Sequence, residues 1–222
     1  VIPSTLGGYP VTKIGMNAFA NCTNLTSVVI PDSVTYIAGG AFWNCSSLQS
    51  IFIPASVTGI YDYAFANCNN LYEIEVAKDN AQFYSQDGVL YSHYGDGKAL
   101  VACPAGKTGK YTVPSNVTTL IWGAFYGCAK LTEIVLPNGL TGIGGDAFCK
   151  CSGLSTIWIP DSVERIYGDP FLGCINLTEV SLSSRLADSV SEFILPETCK
   201  IVSRDGVEQT LWTWVPNADG VS

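Results

Sequence analysis

The sequence predicts a mostly β repeat solenoid of about seven to eight coils, built from short parallel strands joined by short turns or helical turns. Three observations predict it. Cysteines stand at Cys22, Cys45 and Cys68 and again at Cys128, Cys151 and Cys174, with a step of 23 residues inside each triplet. Three residues before each stands a phenylalanine (Phe19, Phe42, Phe65, Phe125, Phe148, Phe171), and three after each a leucine (Leu25, Leu48, Leu71, Leu131, Leu154, Leu177). Proline closes most units, at Pro31, Pro54, Pro114, Pro137 and Pro160, with Ala77 and Ser183 in its place twice. The unit reads V-T-x-I-x-x-x-A-F-x-x-C-x-x-L-x-x-V-x-I-P, and its phrase AFANC occurs unchanged as Ala18 to Cys22 and Ala64 to Cys68.

Each element of the unit follows from residue chemistry. Residues 28 to 30 alternate inward and outward as a short strand does. Pro31 lacks an amide donor, so the strand ends there. Val34 to Ile37 form a second extended piece, and Gly39 and Gly40 supply a bend. Ala41 and Phe42 open a turn too short to be a free-standing helix. One such unit cannot bury its apolar side alone; stacked copies can, with equivalent side chains forming ladders. At ~4.8 Å per rung, about eight coils make a rod roughly 40 Å long.

The unit resembles the BspA-like subgroup of leucine-rich repeats, through its 23-residue period, its A-F-x-x-C phrase and its I-P-x-x-V-T-x-I phrase. The resemblance covers residues 1 to 184 and implies a right-handed, curved, mostly β superhelix. Periodicity by itself implies neither hand nor curvature.

The phase breaks between Cys68 and Cys128, where 60 residues amount to two units plus 14. Turn signals at Asp87-Gly88, Gly95 to Gly97 and Gly106 to Gly109 divide short apolar runs there. They predict an irregular coil over residues 78–114 that projects a hairpin, Val89 to Ser92 against Ala99 to Cys103. D-G-V-L-Y and P-A-G-K-T phrases of this kind also fit the family resemblance, so the insert belongs to the solenoid. After Ser183 the pattern fades. Residues 185–222, with Trp212, Trp214 and a fragment Ile194 to Pro196, are expected to be a terminal cap over the open edge or the start of a further module. The first residues, VIPSTLGGYP, carry neither a basic start nor an apolar leader core, as expected of a chain whose leader has been removed or of an internal piece.

Composition narrows the function. A net charge of −8 argues against nucleic acid, which demands clustered Lys and Arg, and no apolar run approaches the ~20 residues of a membrane span. The six ladder cysteines read as small buried hydrophobes with free thiols; bridging them would pull the coils out of even spacing. Cys103, Cys149 and Cys199 are the ones to test for oxidation, and nine cysteines cannot all pair within one chain. Cys149 and Cys151 are the one close pair, too little for a zinc site. Ala105 to Thr108 echoes the end of a phosphate-binding loop, but Val101 stands where its first glycine belongs. His93 is the single histidine and falls in the hairpin turn, which removes most triad and multi-histidine arrangements. The sequons at Asn24, Asn116 and Asn176 follow from the repeat wording. No cofactor, metal or catalytic constellation is expected.

The outward strand positions are more informative. One column is Ser27, Ser50, Glu73, Glu133, Thr156, Glu179; the other is Val29, Phe52, Glu75, Val135, Trp158, Ser181. Exposed aromatics beside carboxylates have the make-up of interaction anchors, which places a partner face at Phe52, Glu73, Glu75, Glu133, Val135, Trp158 and Glu179. Together with the resemblance, this implies a non-catalytic, extracellular or cell-surface protein that binds a host or neighbouring-cell protein through this face and the hairpin. The alternative is a glycan-binding or spacer module of a larger secreted or surface protein, suggested by eleven Tyr and five Trp. An enzyme comes third.

Overall fold

The structure is a computed structural model that describes residues 1–94, 97–187, 193–203 and 208–209. It is a β-solenoid of about eight turns, and the helix among the described residues is the single turn Ser184–Ala187.

Every regular coil has three sides. The first carries the strand at the pre-proline position of the repeat: Ser50–Ile53, Glu73–Val76, Gly109–Thr112, Leu131–Val135, Thr156–Trp158, Glu179–Leu182 and Lys200–Ser203. The second carries the V-T-x-I strands, among them Tyr36–Ile37, Gly59–Ile60, Val117–Leu120 and Gly142–Ile143. The third is the turn A-F-x-x-C. Pairing is parallel and in register by one repeat: Phe52 faces Glu75, Ile37 faces Ile60, and Leu120 faces Ile143. Alternation along Ser50–Ile53 puts Ile51 and Ile53 inside and leaves Ser50 and Phe52 outside. In the first unit the expected strand at residues 28–30 does not form a regular ladder. Val29 is exposed and Ile30 buried as the alternation demands, yet this segment is held by isolated bonds such as Ile2 N–H to the Val29 carbonyl.

The repeated letters each have a hydrogen-bonding reason. The carbonyls of Pro31, Pro54, Pro114, Pro137 and Pro160 accept from the amide three residues on, closing a β-turn of which proline is the first residue. The hydroxyls of Ser33, Ser56 and Ser162 donate to the carbonyls of Val11, Val34 and Leu140 in the preceding coil. Thr58 and Thr141 donate likewise to the carbonyls of Thr35 and Thr118. Stacked coils thus tie side chain to backbone at every step.

The turn side explains AFANC. Phe19, Phe42 and Phe65 stack at centroid distances of 5.3 and 5.7 Å, and Phe125, Phe148 and Phe171 at 5.6 and 5.5 Å. The residue before each of the six ladder cysteines is in the left-handed region: Asn21, Asn44, Asn67, Gly127, Lys150 and Gly173. Asparagine tolerates that conformation, and its side chains form their own ladder, Asn67 to Asn44 to Asn21, with 2.8 Å bonds. The cysteine thiols donate to the carbonyl of the phenylalanine one coil earlier: Cys45 to Phe19, Cys68 to Phe42, Cys151 to Phe125 and Cys174 to Phe148. All nine thiols are free and eight are buried. Cys22 is the exception to the expected buried ladder: among the described residues no coil precedes it on this side, so it is exposed.

The insert is built into the stack. Phe83–Gln86, Val89–Tyr94 and Gly97–Ala102 form an antiparallel meander, and Gly97–Ala102 then pairs in parallel with Val117–Leu120. The expected hairpin is present, with Leu100 opposite Tyr91 and Ala99 opposite Ser92, although its second strand ends at Ala102 and a third strand, Phe83–Gln86, joins it. Val89, Leu90, Tyr91, Ala99 and Leu100 are buried, so the base of the hairpin is core and its projecting part begins beyond Ser92. The tip residues Gly95 and Asp96 lie outside the described residues. Asn80 steers the chain into this meander: its amide donates to the carbonyls of Pro54 and Val57, and its oxygen accepts from the amides of Gln82 and Phe83.

This inserted coil has no A-F-x-x-C turn. Cys103 takes the place of the ladder phenylalanine, donating its amide to Ala124 as Phe125 does to Ala147, and its carbonyl receives the Cys128 thiol. On the outside the turns of the coils before and after meet directly, through Asn67 N–H to the Tyr126 carbonyl. A void of about 10 Å³ remains where the missing ring would be, bordered by Phe65, Ala102 and Cys103. Two hydrophobic clusters meet at this coil, one reaching from Ile2 to Leu90 and the other from Val89 to Ile201.

Beyond Ser183 the described residues continue the stack. Lys200–Ser203 pairs with Glu179–Leu182, and Phe193 meets the Phe171 ring edge-on at 6.1 Å. Glu208–Gln209 folds back antiparallel on that strand. Trp212 and Trp214 lie outside the described residues.

Candidate functional site

The outward columns of the pre-proline strands point away from the core, but of the two aromatics expected to be exposed only Phe52 is. Phe52 is 49% exposed and Val29 57% exposed; Glu75, Glu133 and Glu179 are exposed, while Glu73, Val135 and Trp158 are half-buried. The structure divides these residues into three paired groups. Ser50 and Phe52 pair with Glu73 and Glu75; Lys110 and Thr112 pair with Glu133 and Val135; Thr156 and Trp158 pair with Glu179 and Ser181. Trp158 is engaged with neighbouring groups in addition to its strand pairing.

Between the first and second groups stands the Asp87-Gly88 turn of the insert. Gly88 accepts from the Ile74 amide, and the Lys107 ammonium reaches the Asp87 carbonyl. Phe52 and Trp158 therefore lie on one side of the solenoid but in separate patches.

Four members of the columns are missing from the sequence reading: Lys110, Thr112, Lys200 and Val202. The first two stand one repeat before Glu133 and Val135, so counting back by 23 finds them. Lys200 and Val202 stand 21 residues after Glu179 and Ser181, out of phase, and no repeat signal reveals them. The two lysines change the electrostatics of their column. Lys110 forms a 2.7 Å ion pair with Glu133 and Lys200 lies opposite Glu179, so the column alternates in charge. The Lys110–Glu133 pair is solvent-exposed and contributes little to stability.

Among the described residues no group of three or more His, Cys, Asp or Glu could hold a metal ion, and no helix is long and apolar enough to cross a membrane. His93 is exposed and lies 5.3 Å from the Tyr84 ring. Burial pushes the Cys174 thiol up to about 12 and that of Cys199 to about 11, and lifts Cys128 and Cys151 well above the usual thiol range. Such thiols are poor nucleophiles.

A second surface appears on the turn side and on the V-T-x-I strands beside it, where aromatic rings lie across glycines of a following coil. An added Cβ would meet the Tyr36 ring at Gly59, the Tyr63 ring at Gly123 and the Trp122 ring at Gly145, all at 2.5–2.7 Å. Trp43, Tyr63 and Tyr126 form a satellite cluster outside the solenoid core, and Tyr63 O–H donates to the Asp146 carboxylate.

A family model described as a BspA type leucine rich repeat region matches residues 5–87 and 105–205 in six copies. Among solved structures, the chain is similar to a leucine rich cell surface protein from Faecalibacterium prausnitzii, with 29% identity, a TM-score of 0.67, and coverage of 81% of this chain and 53% of that one. A leucine-rich repeat protein from Eubacterium ventriosum is 26% identical, with a TM-score of 0.52 and coverage of 89% and 71%. The pneumococcal vaccine antigen PcpA shares the fold at 22% identity and a TM-score of 0.61, with coverage of 86% and 60%. The chain thus spans about half the length of the Faecalibacterium protein. No curated protein matches it.

Proposed function

Because this chain belongs to the BspA-type leucine-rich repeat family, we propose that it is a non-catalytic, cell-surface or secreted binding protein that holds a protein ligand on its pre-proline strand face. The supporting observation is Phe52. It stands half exposed beside the polar Ser50 and Glu75, and Val29, one repeat earlier in the same column, is exposed too, so the face offers an apolar spot rimmed by polar groups. Trp158, Val135 and the alternating Lys110, Glu133 and Glu179 offer an aromatic and charged surface further along the same side. Aromatic anchors ringed by polar groups are the usual make-up of a protein-binding hot spot.

The surface location rests on the likeness to a protein named as a cell-surface protein. The partner suited to that location is a host extracellular protein or one on a neighbouring cell. The hairpin end beyond Ser92 adds a second point of contact. The test is a binding screen of the chain against extracellular matrix proteins, repeated with Phe52→Ala and Trp158→Ala. Weakened binding in either variant supports the strand face; unchanged affinity in both removes it.

A further inference from the structure

Three successive coils carry different pairs of residues at one position of the turn side: Met16-Asn17, Gly39-Gly40 and Asp62-Tyr63. The backbone does not change between them, since Asn17, Gly40 and Tyr63 all have φ between 55° and 64°. What changes is that the middle coil has no side chains. The result is an open groove of about 440 Å³, floored by glycine backbone and walled by Met16, Asn17, Asp62 and Tyr63, with Trp43 and Tyr61 alongside. That volume lies within the range of about 300–1,000 Å³ typical of small-ligand sites. Glycine is needed to keep it open: a Cβ at Gly40 would lie 2.2 Å from the Asn17 side-chain oxygen.

The lining combines two kinds of surface. Tyr61 is 51% exposed, braced against Tyr36 at 4.7 Å, and Trp43 is held edge-on to Tyr63 at 6.1 Å. These rings are fixed by packing and do not need to be ordered by a ligand. Beside them, the Asp62 carboxylate, the Asn17 carboxamide and the Trp43 indole N–H make no hydrogen bond among the described residues. Partial burial raises the Asp62 carboxyl above its ordinary range, the mark of a carboxylate short of solvent and of partners.

A pyranose sugar answers this arrangement. Its C–H face stacks on an aromatic ring, and its hydroxyls both donate and accept hydrogen bonds. Asp62 provides acceptors, the Trp43 indole a donor, and Asn17 both. An anionic sugar would meet the Asp62 carboxylate and a chain of net charge −8. We infer that this groove binds a neutral glycan, with a pyranose ring laid on Tyr61 and Trp43 and its hydroxyls held by Asp62 and Asn17. The site is on the turn side of the first three coils, away from the Phe52 surface, and it does not depend on the protein-binding reading.

The experiment is a glycan array of neutral and sialylated oligosaccharides probed with the chain, followed by calorimetric titration with lactose, N-acetyllactosamine, cellobiose and chitobiose. Tyr61→Ala, Asp62→Asn and Phe52→Ala are measured in parallel. The expected result is retention of neutral glycans, at least tenfold weaker binding in Tyr61→Ala and Asp62→Asn, and unchanged binding in Phe52→Ala. The inference is overturned if no neutral glycan is retained, if sialylated glycans are preferred, or if both groove variants bind as the parent does. Loss of glycan binding in Phe52→Ala alone would also overturn it, by moving the sugar to the strand face.

Discussion

The Cys151 thiol donates to the carbonyl oxygen of Phe125, 26 residues earlier, at 3.1 Å. That carbonyl also accepts the Cys128 amide within its own turn, so its two lone pairs are shared between one local bond and one between coils. A residue here must be small, apolar enough to be fully buried, and still able to donate. Cysteine meets all three demands, which is why the repeat keeps it without any bridge. Cys151→Ala should cost about 1–3 kcal/mol by urea unfolding, from the lost packing and the forfeited bond. A loss below ~0.5 kcal/mol would show that the thiol is not holding adjacent coils together.

Cys22 should be the one thiol that reacts in the native state. It is exposed, and the other eight are buried. Iodoacetamide treatment of folded protein at pH 8, read by peptide mass spectrometry, should label Cys22 alone. The other eight should be labelled only after addition of denaturant. Fast native labelling of Cys103, Cys149 or Cys199 would contradict their burial.

Stability should fall in alkaline solution. Burial holds Cys174 at about 12 and Cys199 at about 11, above the roughly 8.5 expected of an unfolded thiol. Between those values the unfolded chain has given up protons that the native chain retains, so raising the pH favours unfolding. The contribution is complete below ~8.5 and disappears as the pH approaches 11–12, at up to about 1.4 kcal/mol per pH unit for each such thiol. Urea midpoints should be level from pH 7 to 8 and decline above 9. Cys174→Ala should show a shallower decline; an identical slope would assign the effect to other groups.

Trp122 and Gly145 should be coupled. A methyl at Gly145 would stand 2.5 Å from the Trp122 ring, so Gly145→Ala should destabilise by about 1–3 kcal/mol through overpacking. In a Trp122→Ala background the same change should be close to neutral. A double-mutant cycle measures the difference directly; additive effects would mean that the ring is free to move aside.

The ladders were legible because they are periodic. Phe42, Cys45 and Leu48 each recur 23 residues on, and Pro31 recurs as Pro54, and a stack in register brings equal positions together. Membership of the strand columns followed from the same arithmetic, and so did the exposure of Phe52. What escaped was whatever breaks the period. Cys103 could not be read as a stand-in for phenylalanine, since its role is set by the chain entering the turn side one residue out of phase. Tyr63 and Gly123, 60 residues apart, meet because the inserted coil has no turn. The Gly39-Gly40 groove was visible only as a bend, since an absence of side chains becomes a binding surface only when the walls on both sides are known. Lys110 could have been found by counting backward, and with it the alternation of charge that replaces an acidic stripe.

The inserted coil adds thickness to two sides of the stack and none to the third. Beside Glu73–Val76 the chain interposes the Asp87-Gly88 turn and the strand Gly109–Thr112, whereas Asn67 bonds straight to Tyr126 across the turn side. Such a layer acts as a wedge: it splays the pre-proline strands apart while the opposite edge stays closed. A stiff, straight ligand could then lie flat against Phe52 or against Trp158, and only a bent or jointed one could grip both.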